Sequence, residues 1–148
     1  TYLASPDSFF AIVFDGKKVV GVTTAIPLAQ ETEEFKKPFL AHGYDLAEIF
    51  YFGESLLHSQ YRGQGLGVKF FEVREQQAKK YGAKLATFCA AERPNDHPLK
   101  PALYTPLHEF WRKRGYERQA NLYTTYAWRD IGEVEETFKP MVFWTKQL

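Results

Sequence analysis

Cysteine is nearly absent from this sequence of 148 residues; Cys89 is the single one. An internal disulfide is therefore excluded, and a reducing, cytoplasmic setting is the simpler expectation. An excess of one charge is also lacking. The 19 Lys and Arg against 18 Asp and Glu leave a formal net charge of +1, so no general basic field exists to draw in nucleic acid or an anionic membrane. No apolar run is long enough to cross a bilayer, and no secretory signal is recognisable at the start. His42, His58, His97 and His108 show no close metal-ligand pairing, so no metal site is expected. Asp96 and His97 invite a dyad, but adjacent side chains in a loop rarely face a common target. The chain opens on Thr1 rather than methionine, which suggests a piece of a longer protein. Against these absences stand 45% hydrophobic and 17% aromatic residues, enough for a single domain, 1–148, with a real core.

Along the chain, Ser8 to Phe14 is a short aromatic and β-branched run. Asp15-Gly16 follows it, then Val19 to Ile26, which together read as a β-hairpin closed by Pro27. Ala29 to Tyr44 is polar, carries Pro38 and Gly43, and reads as a loop with one helical turn near Glu31 to Phe35. Leu46 to Ser59 is a long strand in which Gly53 marks a bulge or a close backbone approach. Leu66 to Tyr81 has helical spacing, with Leu66, Phe70, Val73 and Gln77 in one row and Phe71, Arg74 and Ala78 beside it; Gly82 stops it. Leu85 to Ala91 is a buried strand. Glu92 to Pro106 is a proline-rich loop. Thr105 and Pro106 then sit at N-cap and N1 of a short helix with Leu107, Phe110 and Trp111 as its apolar stripe and Gly115 at its end. Strands at Tyr116 to Trp128 and Lys139 to Lys146 close the chain. This order implies a mixed α/β fold: a largely antiparallel sheet, a parallel pair around the central crossover, and helices on its faces.

The stretch Arg62-Gly63-Gln64-Gly65-Leu66-Gly67 removes side chains where a strand enters a helix. Bare amides at a helix N-terminus suit a phosphate or pyrophosphate, with Arg62 adding charge and Gln64 a polar contact. The other reading is a turn that merely lets helix and strand pack closely. The spacing G-x-G-x-G departs from the dinucleotide fingerprint, and Val68-Lys69-Phe70 lacks the lysine and hydroxyl of a Walker loop.

The same six residues resemble the R/Q-x-x-G-x-G/A acyl-CoA loop of the GNAT superfamily of N-acetyltransferases. The order of elements from Ser8 onward is similar to that family's. The family's usual first strand and helices, which often shape the acceptor pocket, have no counterpart before the hairpin. The resemblance implies a GNAT-like sheet whose Leu46–Ser59 and Leu85–Ala91 strands splay around acetyl-CoA as co-substrate. The pantetheine arm would pair with backbone near Leu56, Leu57 and His58, and the pyrophosphate would sit on amides from Arg62 to Gly67. Asn95 lies where the family often places a coenzyme-contacting asparagine. The implied activity is acetyl transfer to the amine of a small molecule or peptide; the alternative is a catalytically silent acyl-CoA-binding module. A homodimer is a further expectation.

Transfer of this kind needs a base, because alkyl amines are mostly protonated at neutral pH. Glu54, mid-strand among apolar residues, is the first candidate, its burial raising its affinity for a proton; the alternative is an edge carboxylate satisfied by its neighbours. Glu48, on the same face by alternation, reads as a solvated strand end. Glu92 follows the other splayed strand, within reach of the acceptor, and reads equally as a loop anchor through an ion pair. The family's usual acid, a tyrosine on the short helix, is replaced here by Trp111, which reads as core or as a wall of the thioester pocket. Tyr104 is the substitute acid, or else packs against the proline loop. Cys89 is expected to be an inert core thiol, the alternative being a wall of the acyl slot.

Overall fold

The structure, a computed structural model, describes residues 4–91, 107–128 and 137–148, with 126–128 and 137–139 described as backbone only. Strands β1 (Phe9–Asp15) and β2 (Lys18–Pro27) form the expected hairpin. After them come helix α1 (Glu33–Ala41), strand β3 (Ile49–Leu57), helix α2 (Leu66–Tyr81) and strand β4 (Leu85–Ala91). Helix α3 (His108–Lys113) and strands β5 (Glu117–Trp128) and β6 (Thr137–Gln147) complete the order. The six strands lie in one sheet in the order β1-β2-β3-β4-β6-β5. Every neighbouring pair is antiparallel except β3 and β4.

Alternation along the strands divides the core into two layers, because successive side chains leave a strand on opposite faces. Phe50, Phe52, Ala86, Phe88, Val142 and Trp144 point to one face and pack with Phe71 and Ala78 of α2 and with Phe110 and Trp111 of α3. Ile49, Tyr51, Leu85 and Phe143 point to the other and pack with Phe35 and Phe39 of α1. Helices thus cover both faces. The buried stripe of α2 is Phe70, Phe71, Arg74 and Ala78. Across the α2 face, Glu75 accepts from the Tyr116 hydroxyl at 2.8 Å and pairs with Lys146 at 3.0 Å, which ties α2 to β6 and to the residue that leads into β5.

Helix α1 corrects the reading of Ala29 to Tyr44 as a loop with a single turn. Pro38 sits inside it, and a proline removes the N–H that would reach back to the carbonyl of Glu34. The Thr124 hydroxyl of β5 donates to that carbonyl at 2.8 Å. The helix therefore keeps a proline without leaving the freed oxygen unsatisfied. Phe35 and Phe39, one turn apart, supply the apolar face: Phe35 stacks on Tyr51 with centroids 5.3 Å apart, and Phe39 meets Phe143 edge-on at 4.9 Å.

The strand read as Leu46 to Ser59 is shorter, with single 3-10 turns at Leu46–Glu48 and Ser59–Tyr61 on either side. The expected irregularity at Gly53 is a bulge. Between Thr23↔Ser55 and Ala25↔Phe52, β3 spends three steps where β2 spends two. Helix α3 starts at His108 with Leu107 at its N-cap, two residues later than the Thr105 and Pro106 start read from the sequence. The acidic turn between the last strands lies outside the described residues.

Candidate functional site

Pairing between β3 and β4 is brief. It joins Ile49 to Leu85, Phe50 to Ala86 and Tyr51 to Thr87, and there it stops. Beyond it β3 pairs with β2 alone, and β4 with β6 alone. The bulge begins two residues past the last pair, and a bulge bends the strand that carries it. The two central strands of the sheet therefore diverge, and a gap opens between them.

On the α2 face this gap widens into a cavity of about 250 Å³. Gly53 and Ser55 line it from β3, Phe88 and Cys89 from β4, Gly67 and Phe70 from α2, and Phe110 and Trp111 from α3. Trp111 stands against Phe88 at 4.9 Å and Trp144 at 5.0 Å, which makes it part of the cavity wall. Gly67 is close-packed: a Cβ there would meet the Phe110 ring at 3.3 Å. Arg74, which the helical periodicity placed beside the main row, is buried at this cavity. Its guanidinium lies 4.7 Å from the centroid of Phe52 and 4.9 Å from that of Phe71, and its Nε donates to the Phe70 carbonyl at 3.3 Å.

The cavity leads to the N-terminus of α2. Gly65 holds the N-cap position at φ 83°, in the left-handed region that favours glycine, and no side chain caps the helix. The first bond back into this turn is from Lys69 to Gly65, at 3.1 Å. The amides of Leu66, Gly67 and Val68 thus have no carbonyl one turn earlier in the helix, as at any helix start. They carry the positive end of the helix dipole. A Cβ at Gly63 or Gly65 would meet nothing within 4 Å, so the loop leading into these amides is open to solvent. Arg62 and Gln64 are exposed beside them. The Tyr61 hydroxyl donates to Asp15 at the end of β1 and anchors the approach to the loop. This hydrogen bond, more than desolvation or the carboxylate's charge, raises the Tyr61 pKa.

Register decides which backbone of β3 faces the gap. His58 donates its amide to Val20 at 2.8 Å, and Val22 lies opposite Leu56 and Gly21 opposite Leu57. Bonding alternates along an antiparallel ladder. The amides of Leu56 and His58 therefore belong to β2, while those of Ser55 and Leu57 turn the other way, into the gap. The expectation of open backbone at all three positions narrows to Leu57. The Leu56 side chain is 59% exposed.

Glu54 rides on the bulge and is exposed, with its amide donating to Thr24 Oγ1 at 2.9 Å and its carbonyl accepting from Thr23 Oγ1 at 3.1 Å. The burial expected to raise its proton affinity is not there. The bulge carries the residue out of the alternation that placed it among apolar neighbours. Glu48 is not on the same strand face either; it lies in the preceding turn and pairs with Lys84 at 3.3 Å. Glu92, Asn95, Asp96, His97 and Tyr104 lie outside the described residues.

Cys89 sits past the end of the β3–β4 pairing, in contact with the Tyr51 hydroxyl at 3.2 Å. Burial pushes its thiol up to about 11, against the opposing effect of the Tyr51 hydrogen bond, with the negative charge of Glu31 adding to the rise. Glu31 is itself a residue the sequence reading passed over. It is 8% exposed and is the buried carboxylate among the described residues. Its place in a polar stretch hid the fact that Leu28 and Phe35, on either side, fold into the core.

Among the described residues no three His, Cys, Asp or Glu side chains converge as a metal site, and no helix is long and apolar enough to cross a membrane.

The six-stranded mixed sheet with one parallel, splaying pair and helices on both faces is the GNAT fold. It is shared with an aminoglycoside 6′-N-acetyltransferase complexed with coenzyme A, at a TM-score of 0.62 and 14% identity over 99% of this chain and 75% of that one. A GNAT family acetyltransferase from Elizabethkingia anophelis with acetyl-CoA bound matches at 0.63 and 13%, over 99% and 79%. Ribosomal-protein-alanine N-acetyltransferase from Brucella melitensis matches at 0.58 and 14%, over 94% and 68%. At such identities the likeness is one of fold. No family model and no curated protein matches the chain.

Proposed function

We propose that this chain is an acetyl-CoA-dependent N-acetyltransferase of the GNAT type, acting on the amine of a small molecule or peptide. One observation carries the reading: the gap between β3 and β4 lies beside a helix N-terminus that no side chain caps and that an open glycine loop precedes. A diphosphate on the amides of residues 63–67, with Arg62 and Gln64 beside it, would leave its pantetheine arm running into the gap. There the Leu57 amide meets it, and Asn95 is the further coenzyme contact expected from the adjoining loop. The thioester would then lie in the cavity between Ser55, Cys89 and Trp111.

The reaction is direct transfer. The amine nitrogen attacks the thioester carbonyl carbon, the C–N bond forms, and the C–S bond breaks with its electron pair leaving on sulfur. The proton shed by nitrogen passes to Glu54, directly or through water, and the thiolate takes a proton from a hydroxyl, for which Tyr104 is the candidate. The Leu57 amide supports the developing oxyanion. Holding amine and thioester together supplies much of the rate. An acyl-cysteine route is disfavoured, since a thiol held near 11 is protonated at neutral pH and a poor nucleophile.

The second reading, an acyl-CoA-binding module without turnover, draws on Trp111, which forms a wall of the cavity and brings no hydroxyl to it. Thiol release from acetyl-CoA, followed against a panel of primary amines, separates the two. Amine-dependent release supports transfer. Tight binding of acetyl-CoA with no release for any amine supports the module.

A further inference from the structure

We propose that Ser55 is the hydroxyl that meets the coenzyme's sulfur and protonates it as it leaves. The inference rests on the reading of the chain as an acyltransferase and deepens it, by drawing the proton donor from the cavity itself rather than from the loop that carries Tyr104.

A thiolate leaving inside the cavity needs a proton donor there, and few of the lining groups qualify. Most of the wall is glycine, hydrocarbon and aromatic ring. Arg74 lines it too, but a guanidinium in a protein does not give up its proton. The indole N–H of Trp111 donates hydrogen bonds and does not ionise. Cys89 carries a proton on sulfur, but its thiol is engaged with the Tyr51 hydroxyl at 3.2 Å. Among the described residues that line the cavity, Ser55 alone brings a hydroxyl.

Its neighbour across the sheet holds that hydroxyl in place. Ser55 lies opposite Thr23 in the β2–β3 register, and the two side-chain oxygens are 2.7 Å apart. Thr23 is fully buried, and its hydroxyl donates to the Glu54 carbonyl at 3.1 Å. A hydroxyl has one proton to give, so Ser55 is the donor in its contact with Thr23. That bond fixes the Ser55 oxygen, while its hydrogen turns to suit whichever acceptor is present. Exchanging the neutral threonine oxygen for a thiolate is favourable, because hydrogen bonds to an ionised partner are about twice as strong. Ser55 is exposed, so water reaches its oxygen from the mouth of the cavity. The step balances without a serine alkoxide. The C–S bond breaks with its electron pair on sulfur, the Ser55 proton moves to sulfur, and the Ser55 oxygen takes a proton from water in the same event. The proton that the amine gave up through Glu54 returns to that water, so the net transfer runs from nitrogen to sulfur.

The test titrates coenzyme A bound to the full chain, following the ultraviolet absorbance of its thiolate. A Cys89→Ala background leaves the coenzyme's thiol as the one thiol present, since the chain has no other cysteine. Arg74 lines the cavity in every variant, so its charge acts on the sulfur equally throughout. A hydrogen bond from Ser55 favours the thiolate, so Ser55→Ala should raise the pKa of the bound thiol by about one pH unit or more. Ser55→Thr keeps the hydroxyl and should restore most of the parent value, and acetyl-CoA affinity, read by calorimetry, should stay constant across the series. With an amine of the panel that supports thiol release, Ser55→Ala should slow that release about tenfold or more. The same thiol pKa in parent and Ser55→Ala, an undiminished release rate in Ser55→Ala, or a pKa rise produced by Tyr104→Phe instead would overturn the assignment. Failure of the parent chain to bind coenzyme A would bring down the acyltransferase reading and the assignment together, whereas binding with an unmoved pKa removes the assignment alone.

Discussion

Replacing Gly65 by alanine separates a structural role for the glycine loop from a ligand-binding one. Gly65 has φ 83°, and a Cβ there would meet nothing within 4 Å. Steric collision with the rest of the chain is therefore absent, and the cost to folding is that of a left-handed alanine, about 1–2 kcal/mol. For a chain of this length that lowers the melting temperature by roughly 2–8 °C. Gly82, at the other end of the same helix, has φ 101° and equally open surroundings, so Gly82→Ala carries a comparable folding cost. The two sites lie a full helix apart, about 25 Å. Only at Gly65 would the new methyl stand over the amides assigned to the diphosphate. Losing one charge-assisted hydrogen bond costs about 1.5–3 kcal/mol, or roughly tenfold to a hundredfold in affinity. Thermal unfolding and calorimetric titration with acetyl-CoA on both variants make the comparison. Gly65→Ala should lose stability and affinity together, and Gly82→Ala stability alone. Equal acetyl-CoA affinity in the two variants would refute the assignment of these amides.

Thr124→Val should destabilise the protein by about 0.5–1.5 kcal/mol by stranding the Glu34 carbonyl, and by less in a Pro38→Ala background where that carbonyl regains its helical partner; identical costs in both backgrounds, measured by urea unfolding, would contradict the pairing. The Cys89 thiol is raised from 9.0 to about 11 in the folded state, so the native chain holds a proton that the unfolded chain has lost. Stability present below pH 9 should therefore drain away as the pH rises through about 11, by at most about 2–3 kcal/mol and by less where the sulfur keeps contact with solvent. Cys89→Ala should flatten that alkaline decline, and an unchanged decline would remove the thiol as its cause. Glu54→Gln should lower acetyl transfer about a hundredfold or more while leaving acetyl-CoA affinity intact; an unaltered pH–rate profile would take Glu54 out of the mechanism.

Much of the fold was legible because it is written locally. An aromatic and β-branched run with Asp15-Gly16 after it marked the β1–β2 hairpin, the 3.6-residue row marked α2 from Leu66 to Tyr81, and glycines marked where elements end. The place of the glycine loop at the start of α2 was legible for the same reason, since its residues are consecutive. What escaped depends on partners distant in sequence. Helix α1 looked forbidden by Pro38, and the hydroxyl that makes it tolerable lies on β5, 90 positions from the carbonyl it satisfies. Glu54 looked buried because alternation was extended through Gly53, and the bulge that breaks it is defined by register with β2. The same register, not the residue types, decides that Leu57 rather than Leu56 or His58 offers its amide to the gap. Glu31 was hidden in a polar stretch because its burial is imposed by Leu28 and Phe35 docking on Tyr51, a strand away.

The central claim is that bare amides at the start of α2 grip the diphosphate of an acyl coenzyme whose arm enters the gap between β3 and β4. Calorimetry comparing acetyl-CoA with S-acetylpantetheine, which has the same arm and thioester without the diphosphate, tests it most directly. The account predicts that acetyl-CoA binds and that removing the diphosphate weakens binding at least a hundredfold. No heat with acetyl-CoA, or equal affinity for the two, would contradict it.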